Sequence, residues 1–194
     1  QLNQFPFDWV VSSTKRYVKK NFRNLSVVEL GCGTGNNLTF FEKLKFKRIV
    51  GIEGSKTAVN IARKRFKKNK KIKFFLGDFV NAKFEKRSFD LCIDRGSITH
   101  NSKKDIFEIV ENIHSFLKPG GFLFSSLFSS EHYANKKKNV SFKKEINSTE
   151  GLVTSFFNKN EIKKLFKKFK IISFLHEKKS ENIGKRKNIC WWYI

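Results

Sequence analysis

The sequence predicts an α/β fold in which helices flank a parallel sheet. From about residue 25 to residue 130, short apolar runs alternate with stretches in which apolar residues recur at helical spacing, which is the pattern of repeated strand and helix units. The first apolar run leads into a turn with glycine at every second position. A chain of 194 residues is long enough for one sizeable core and too short for two ordinary domains. We therefore expect a single domain over residues 1–194.

Five apolar runs have the length and composition of buried strands. They are residues 25–30, 48–53, 72–76, 89–94 and 122–128. The intervening helices are predicted from apolar residues at helical spacing and from capping residues. They comprise residues 37–44, a helix capped by Ser55 with a buried face of Ala58, Ile61, Ala62 and Phe66, and a helix with an apolar face of Ile106, Ile109, Val110, Ile113, Phe116 and Leu117. The sequence Lys-Pro-Gly-Gly at 118–121 is expected to stop that helix and turn into the fifth strand.

The last third of the chain departs from this alternation. Residues 129–151 are polar and rich in lysine, which is typical of a loop on the substrate side of an enzyme. A helix over about 160–169 has an apolar face beneath a lysine face. Such a helix can lie on a membrane, but its position between two strands favours packing on the sheet. Residues 171–176 and 189–194 are predicted strands, and the short charged segment between them favours an antiparallel pair.

Composition narrows the functional classes. The formal net charge of +24 would suit a polyanion such as RNA, but only eight of the 41 basic residues are arginine, the better residue for bidentate phosphate recognition. We interpret the charge mainly as a solvated surface and keep RNA as an alternative partner. The three cysteines have no metal-ligand spacing, so neither a metal site nor a disulfide framework is expected. No apolar run approaches a membrane span, and no signal peptide is evident, so we expect a soluble cytoplasmic protein.

The strongest motif is residues 27–35, Val-Val-Glu-Leu-Gly-Cys-Gly-Thr-Gly. Glycines in such a turn permit positive φ angles and let a ligand approach the backbone, and the next helix offers free amide groups. A dinucleotide site would have its third glycine where this chain has Asn36, so the spacing disfavours NAD. A simple tight turn is the alternative interpretation.

Acidic residues follow the next two predicted strands. Glu53 ends the second strand and precedes Gly54 and Ser55. A carboxylate there can accept hydrogen bonds from both ribose hydroxyls, although a surface charge beside a helix is the alternative. Asp78 and Phe79 come just after the third strand, where Gly-Asp is also a common turn.

These motifs, in this order and at these separations, resemble the class I S-adenosylmethionine-dependent methyltransferase family from residue 25 to the end of the chain. The resemblance implies a three-layer α/β/α sandwich with a mostly parallel, seven-stranded Rossmann-like sheet and an antiparallel C-terminal strand. It also implies S-adenosyl-L-methionine as the cofactor.

The same resemblance assigns roles to the motif residues. The methionine part of the cofactor would pack against the glycine loop, whose predicted contact residues are Gly31, Cys32, Gly33, Gly35 and Asn36. Glu29 would help to hold the amino group of the cofactor. Glu53, with Gly54 and Ser55, would bind the ribose. Asp78 would accept a hydrogen bond from the adenine amine, and Phe79 would stack on the ring.

The predicted strand at 89–94 corresponds to the one whose end borders the reacting methyl group in this family. Asp94, Arg95 and Ser97 are therefore expected to face the sulfonium or the acceptor. Methyltransferases of nucleic-acid base amines often carry an Asn-or-Asp-Pro-Pro-aromatic motif here. The sequence Asp-Arg-Gly-Ser at 94–97 is not that motif, which counts against a DNA base as the acceptor.

Fewer signals concern the acceptor itself. His100 could take a proton from an acceptor, or it could be a helix cap or a surface residue. His132 and Tyr133 could line an acceptor site at the start of the polar loop. The first 24 residues are a predicted cap segment, in which three aromatic residues either fold over the cofactor or pack on the sheet. They are Phe5, Phe7 and Trp9.

Together these observations predict an S-adenosylmethionine-dependent methyltransferase that acts on a small molecule. The acceptor atom would attack the methyl carbon in line, and a general base would be needed only if the acceptor must lose a proton. An RNA methyltransferase is the first alternative. A cofactor-binding module without turnover and an NAD-dependent oxidoreductase are further alternatives, since fold alone does not decide among them.

Overall fold

A computed structural model describes residues 3–136, 153–181 and 187–194 of the chain. Its strands are β1 (Ser26–Leu30), β2 (Arg48–Glu53), β3 (Ile72–Leu76), β4 (Phe89–Arg95), β5 (Leu117–Phe128), β6 (Leu175–Glu181) and β7 (Lys187–Tyr193). Its helices are α1 (Asp8–Tyr17), α2 (Leu38–Lys43), α3 (Lys56–Arg65), α4 (Lys103–Phe116) and α5 (Lys159–Leu165). The predicted loop at 129–151 lies outside the described residues from 137 onward.

The strands form one seven-stranded sheet in the order β3-β2-β1-β4-β5-β7-β6. The five strands from β3 to β5 are parallel to their neighbours, and β7 is antiparallel to both β5 and β6. This confirms the predicted mostly parallel sheet with an antiparallel C-terminal strand. The chain crosses from one side of β1 to the other between β3 and β4, so the loops after β1 and β4 meet at the edge where the parallel strands end. Ligands of such sheets bind at this position, which we call the carboxyl edge.

Helices cover both faces of the sheet and give it three layers. On one face, α4 and α5 pack with β-strand residues such as Val28, Val50 and Cys92 in a buried apolar cluster. On the other face, α1, α2 and α3 pack with residues such as Val27 and Ile49 in a second cluster. All five residues of β1 are buried, as expected for a central parallel strand covered on both sides.

The helix ends follow the capping chemistry of the sequence. The Ser55 hydroxyl accepts a hydrogen bond from the Ala58 amide at 3.3 Å, as predicted. Asn158 and Glu161 form a reciprocal capping box at the start of α5. The predicted buried face of α3 was partly wrong, because Val59 is buried on it together with Ala62 and Phe66, whereas Ala58 and Ile61 are half-buried.

The predicted strand at 171–176 is wrong. β6 begins at Leu175 and continues through a charged sequence to Glu181. It is an edge strand that pairs only with β7, so one of its sides faces solvent and tolerates lysine and glutamate. Ile171 and Phe174 instead pack against the apolar cluster around α4 and α5.

The sequence Lys-Pro-Gly-Gly also behaves differently from the prediction. β5 begins at Leu117, directly after α4, and residues 118–121 lie within the strand. They form an irregularity in the pairing of β4 with β5. Phe89 pairs with Leu117 and Leu91 pairs with Phe122, so the register of the two strands shifts between Phe89 and Leu91. Gly120 takes a φ of 71° there, which a glycine adopts without steric strain.

No helix among the described residues is long and apolar enough to cross a bilayer.

Candidate cofactor and acceptor site

The glycine loop (residues 31–36) connects β1 to α2 at the carboxyl edge. Gly31, Gly33 and Gly35 have φ angles of 64°, 54° and 79°, a region that favours glycine. A Cβ atom at Gly31 would lie only 2.4 Å from the Cβ of Ser97 in the loop after β4. The Ser97 hydroxyl donates a hydrogen bond to the Leu30 carbonyl at 2.6 Å. The backbone of Gly31 therefore lies directly against the side chain of Ser97, and there is no room for a larger residue at position 31.

Glu29 lies in β1, just beneath this loop, and is 2% exposed. Its Oε1 accepts a hydrogen bond from Nδ2 of Asn37 at 2.6 Å, while its Oε2 is buried and has no hydrogen-bond partner in the described parts of the chain. Burial raises the pKa of Glu29 to about 8, and the negative charge of Asp94 adds to the rise, against the opposing hydrogen bond from Asn37. A buried carboxylate oxygen without a partner is a place where a cationic group of a ligand can bind.

Glu53 ties the glycine loop to the end of β2. Its Oε2 accepts from the Gly33 amide at 2.9 Å, and its Oε1 accepts from the Ser55 amide at 2.8 Å. The side chain is half-buried. Because each carboxylate oxygen can accept more than one hydrogen bond, both oxygens keep capacity for a ligand hydroxyl.

Asp78 and Phe79 lie just beyond the end of β3. Asp78 is exposed, and its Oδ1 accepts from the Val80 amide at 2.9 Å, which holds the carboxylate in a local turn. Phe79 is half-buried and packs against the apolar cluster around α4. Because β3 pairs with β2, Asp78 lies next to the strand that carries Glu53. Both side chains must be close together if they are to bind the same nucleoside.

Asp94, at the end of β4, uses its carboxylate inside the protein. Oδ1 accepts from the Ser97 amide at 2.8 Å, the Ser97 hydroxyl at 2.7 Å and the Ile98 amide at 3.1 Å. Oδ2 accepts from the Ser125 hydroxyl at 2.7 Å. Burial raises the pKa of Asp94 despite these hydrogen bonds. The side chain therefore fixes the loop after β4, and through Ser97 it supports the glycine loop.

Arg95 is surrounded by aromatic rings. Its guanidinium carbon lies 4.4 Å from the ring centre of Phe7, 4.8 Å from that of Trp191 and 5.7 Å from that of Tyr193. Phe7 belongs to the N-terminal segment and the other two rings belong to β7. Sequence analysis did not anticipate this arrangement, because its parts come from three distant stretches of chain.

The N-terminal segment crosses the glycine loop. The Phe7 amide donates to Oδ1 of Asn37 at 2.9 Å, and Nδ2 of Asn36 donates to the Phe5 carbonyl at 3.1 Å. Trp9 instead packs on the sheet, with its ring centre 4.8 Å from that of Tyr193, whereas Phe5 is 77% exposed. The backbone of the segment thus contacts the glycine loop, and Trp9 packs on the sheet, as the second of the two alternatives predicted.

The three predicted acceptor-side residues are close to aromatic rings. Nδ1 of His100 lies 3.2 Å from the Thr154 hydroxyl, and burial lowers the His100 pKa, opposed by the charge of Asp94. His132 stacks on Tyr133 with ring centres 4.8 Å apart, and burial lowers the His132 pKa to about 4. Both imidazoles are therefore neutral near pH 7, and Nδ1 of His132 accepts a hydrogen bond from the Ala134 amide at 3.2 Å.

A cavity of about 770 Å³ opens elsewhere, around the first half of β5. Its lining includes Trp9, Tyr17 and the Lys-Pro-Gly-Gly sequence at 118–121, and it includes neither the glycine loop nor Glu29, Glu53, Asp78, Asp94 or Arg95. Within the described parts of the chain, no group of three or more metal-ligating side chains comes together.

Comparison with known proteins gives a consistent result. The family described as "Methyltransferase domain" matches residues 27–121, which include the motifs on β1, β2, β3 and β4. EEF1A lysine methyltransferase 2 of Danio rerio is 26% identical over 107 residues, which are 51% of this chain and 46% of the relative. Sterol 24-C-methyltransferase of Debaryomyces hansenii is 24% identical over 180 residues, 88% of this chain and 45% of the relative. The chain spans about half the length of these relatives.

Among solved structures, a SAM-dependent methyltransferase from Methanosarcina mazei superposes with a TM-score of 0.73. The two chains are 16% identical, and the match covers 97% of this chain and 96% of the other. At that identity the superposition shows the shared fold.

Proposed function

We propose that this chain is a class I S-adenosylmethionine-dependent methyltransferase, which the methyltransferase-domain match over residues 27–121 supports, and that it transfers the methyl group of S-adenosyl-L-methionine to a small-molecule acceptor. The observation that carries the proposal is the Oε2 atom of Glu29, a buried carboxylate oxygen without a partner beneath a glycine loop. Such an oxygen fits the ammonium group of an amino-acid tail.

The remaining cofactor contacts follow the order of the strands. The glycine loop, including Cys32 and Asn36, would bind the methionine part. Glu53, beside Gly54 and Ser55, would accept from the ribose hydroxyls, and Asp78 with Phe79 would bind the adenine. A carboxylate at the end of β2 with free acceptor capacity supports the ribose assignment.

The cofactor supplies an activated methyl group, so the protein has to align the acceptor and exclude water. Asp94 holds the loop after β4 through Ser97 and Ile98, and the aromatic rings around Arg95 keep that side of the site apolar. His100 is a neutral imidazole on the acceptor side and would serve to accept a proton from a hydroxyl or amine acceptor. His132 is a weaker base, because burial lowers its pKa to about 4 and its Nδ1 already accepts from the Ala134 amide at 3.2 Å, so it would line the acceptor site.

A small acceptor is favoured over RNA by the placement of charge. Among the described residues, those around the proposed acceptor side are mainly aromatic or neutral, with Arg95 and Lys187 as cations. The densest basic stretch is residues 54–77, with nine Lys or Arg and no Asp or Glu. It comprises α3, β3 and their flanks, beside Glu53 and Asp78, and therefore lies on the adenosine side.

RNA remains the second candidate because of that basic stretch, which could bind a phosphate backbone. A binding module without turnover and an NAD-dependent oxidoreductase make different predictions for ligand binding, and the experiment below separates them. The cytoplasmic location stays a prediction.

Calorimetry with S-adenosylmethionine, S-adenosylhomocysteine and NADH tests the cofactor assignment. We expect both adenosyl compounds to bind and NADH to fail. Glu53→Ala or Asp78→Ala should weaken binding by about tenfold or more, since each removes a hydrogen bond to a charged group. Glu108→Ala, at an exposed position on α4, is the matched control and should bind normally.

A methyl-transfer screen of metabolite pools and total RNA then tests the acceptor class. Transfer to a metabolite fraction supports the proposal, and transfer to RNA alone replaces it with the second candidate. Cofactor binding without transfer to either pool supports a module without turnover. Unchanged affinity in both the Glu53 and the Asp78 variants would remove the assigned cofactor site.

A further inference from the structure

Arg95 lies at the carboxyl end of β4 without an acidic partner. Within the described parts of the chain it forms no ion pair, although the side chain is half-buried. Glu177 is on the neighbouring hairpin, but its Oε2 already accepts from the Tyr193 hydroxyl at 3.1 Å and pairs with Lys179 at 3.3 Å. Among the described residues, the groups packed around the Arg95 guanidinium are three neutral aromatic rings.

Two polar atoms at this place are buried and have no hydrogen-bond partner among the residues that the structure describes. They are Nε of Arg95 and Oγ of Ser126. The two residues are direct neighbours across the parallel pair of β4 and β5, and Ser126 is 0% exposed. Buried polar atoms are nearly always satisfied in folded proteins. Two adjacent exceptions at a ligand-binding edge therefore indicate a group that completes them.

Gly96 brings the surrounding rings close. A Cβ atom at this position would lie 2.7 Å from the Trp191 ring and 3.8 Å from the Ser126 hydroxyl oxygen. Its φ of 70° also favours glycine. Trp191 can thus lie directly against the backbone next to Arg95, so the space around the guanidinium has apolar walls.

We propose that Arg95 and Ser126 form a subsite that binds a carboxylate group of the methyl acceptor, which we call the Arg95 subsite. The inference rests on the proposed function, because it specifies the acceptor of that same reaction. A planar guanidinium with a neighbouring hydroxyl matches the two oxygens of a carboxylate. One cation between apolar rings balances a single negative charge, whereas a doubly charged phosphate would remain undercompensated in this environment.

The Phe7 ring covers the guanidinium in the present structure and is 38% exposed. The N-terminal segment is attached to the glycine loop through hydrogen bonds at Asn36 and Asn37. The Phe7 ring is not buried in the core, so the attachment does not depend on it. The acceptor would reach the Arg95 subsite by displacing this ring. Removal of the ring should therefore strengthen carboxylate binding.

The test uses two pairs of probes that differ in charge but hardly in shape: benzoate with benzamide, and hexanoate with hexanamide. Their binding to the full chain saturated with S-adenosylhomocysteine is measured by saturation-transfer NMR. We expect each carboxylate to bind at least about tenfold more tightly than its amide. Arg95→Gln should abolish that preference, Ser126→Ala should reduce it, and Phe7→Ala should tighten carboxylate binding.

Arg23→Gln, which removes an exposed arginine far from the site, is the matched control. Equal losses in Arg95→Gln and Arg23→Gln would show general attraction to a basic surface and would overturn the proposal. So would equal binding of carboxylates and amides, or a carboxylate preference that survives Arg95→Gln. The affinity of each variant for S-adenosylhomocysteine is measured in parallel. If the wild-type protein does not bind that compound, the proposed function fails, independently of the probe results.

Discussion

Glu29→Gln should make the protein without its cofactor more stable, and increasingly so as pH rises. Burial raises the Glu29 pKa from 4.5 to about 8 in the folded chain. Between these values the folded state keeps a proton that the unfolded state has lost, so the stability contributed by this group falls as pH increases. The loss is about 1.4 kcal/mol per pH unit, or about 3 kcal/mol at pH 7. Glutamine carries no charge and avoids this loss.

Urea denaturation of the wild-type and Glu29→Gln proteins at pH 5, 6, 7 and 8 measures the effect. The difference in unfolding free energy should be small at pH 5 and grow steadily up to pH 8. Above pH 8 it should level off, because the folded state then loses the same proton. Glu108→Gln, at an exposed site, should show no such growth. A Glu29→Gln difference that stays constant over this range would refute the assignment of a neutral, buried Glu29.

The same residue links stability to ligand binding. An ammonium group beside Oε2 of Glu29 favours the ionised carboxylate, so S-adenosylhomocysteine binding to the wild-type protein at pH 7 should release a proton. Calorimetry in two buffers of different ionisation enthalpy measures that release. It should be absent in Glu29→Gln, which should also bind the compound more weakly.

Three further predictions follow from side-chain geometry. Gly31→Ala should lower the unfolding free energy by about 2 kcal/mol, since its Cβ would lie 2.4 Å from Ser97 Cβ. Gly54→Ala should change the unfolding free energy little, because a Cβ there meets nothing within 4 Å. Equal melting temperatures of the two variants would contradict this prediction. Ser97→Ala should lower the same quantity by about 1–3 kcal/mol, because it removes hydrogen bonds to Asp94 and the Leu30 carbonyl, and an unaltered urea midpoint would disprove it. The His132 ring should titrate near pH 4 by NMR, and a midpoint of about 6.5 would show an exposed imidazole.

The convergence of the motif residues at the proposed cofactor site was predictable because their signals are local in sequence. A buried strand, alternating glycines and an acid at the end of the next strand lie within about 30 residues of one another, and the parallel topology brings them together. The predicted bounds of β2 and the predicted helix cap at Ser55 agree with the structure for the same reason. These features depend on backbone geometry that short segments specify.

Other parts of the site were less predictable because distant segments build them. On the proposed cofactor side, Asn37 bridges Glu29 and the Phe7 amide, and nothing in its local sequence distinguishes it from other asparagines. Asp94 was expected to face the ligand, yet its oxygens are engaged by Ser97, Ile98 and Ser125. The ring enclosure of Arg95 needs the pairing of β5 with β7, which no short pattern encodes.

The misplaced sixth strand has a different cause. Apolar content indicates burial, and Ile171 and Phe174 do pack against the core. An edge strand needs backbone pairing on one side only, so β6 forms from a charged sequence that periodicity interprets as a connection. The hydrophobic pattern therefore predicted correctly which residues pack against the core, but it did not predict which residues form the backbone hydrogen bonds of β6.

All three cysteines are buried, and burial raises the thiol pKa of each. Their sulfurs stay protonated and shielded, and alkylating reagents react with the thiolate. The native chain should therefore give almost no background with maleimide. A single cysteine introduced at exposed Phe5 would accept a spin label selectively, and the mobility of that label could report on the N-terminal segment with and without S-adenosylhomocysteine.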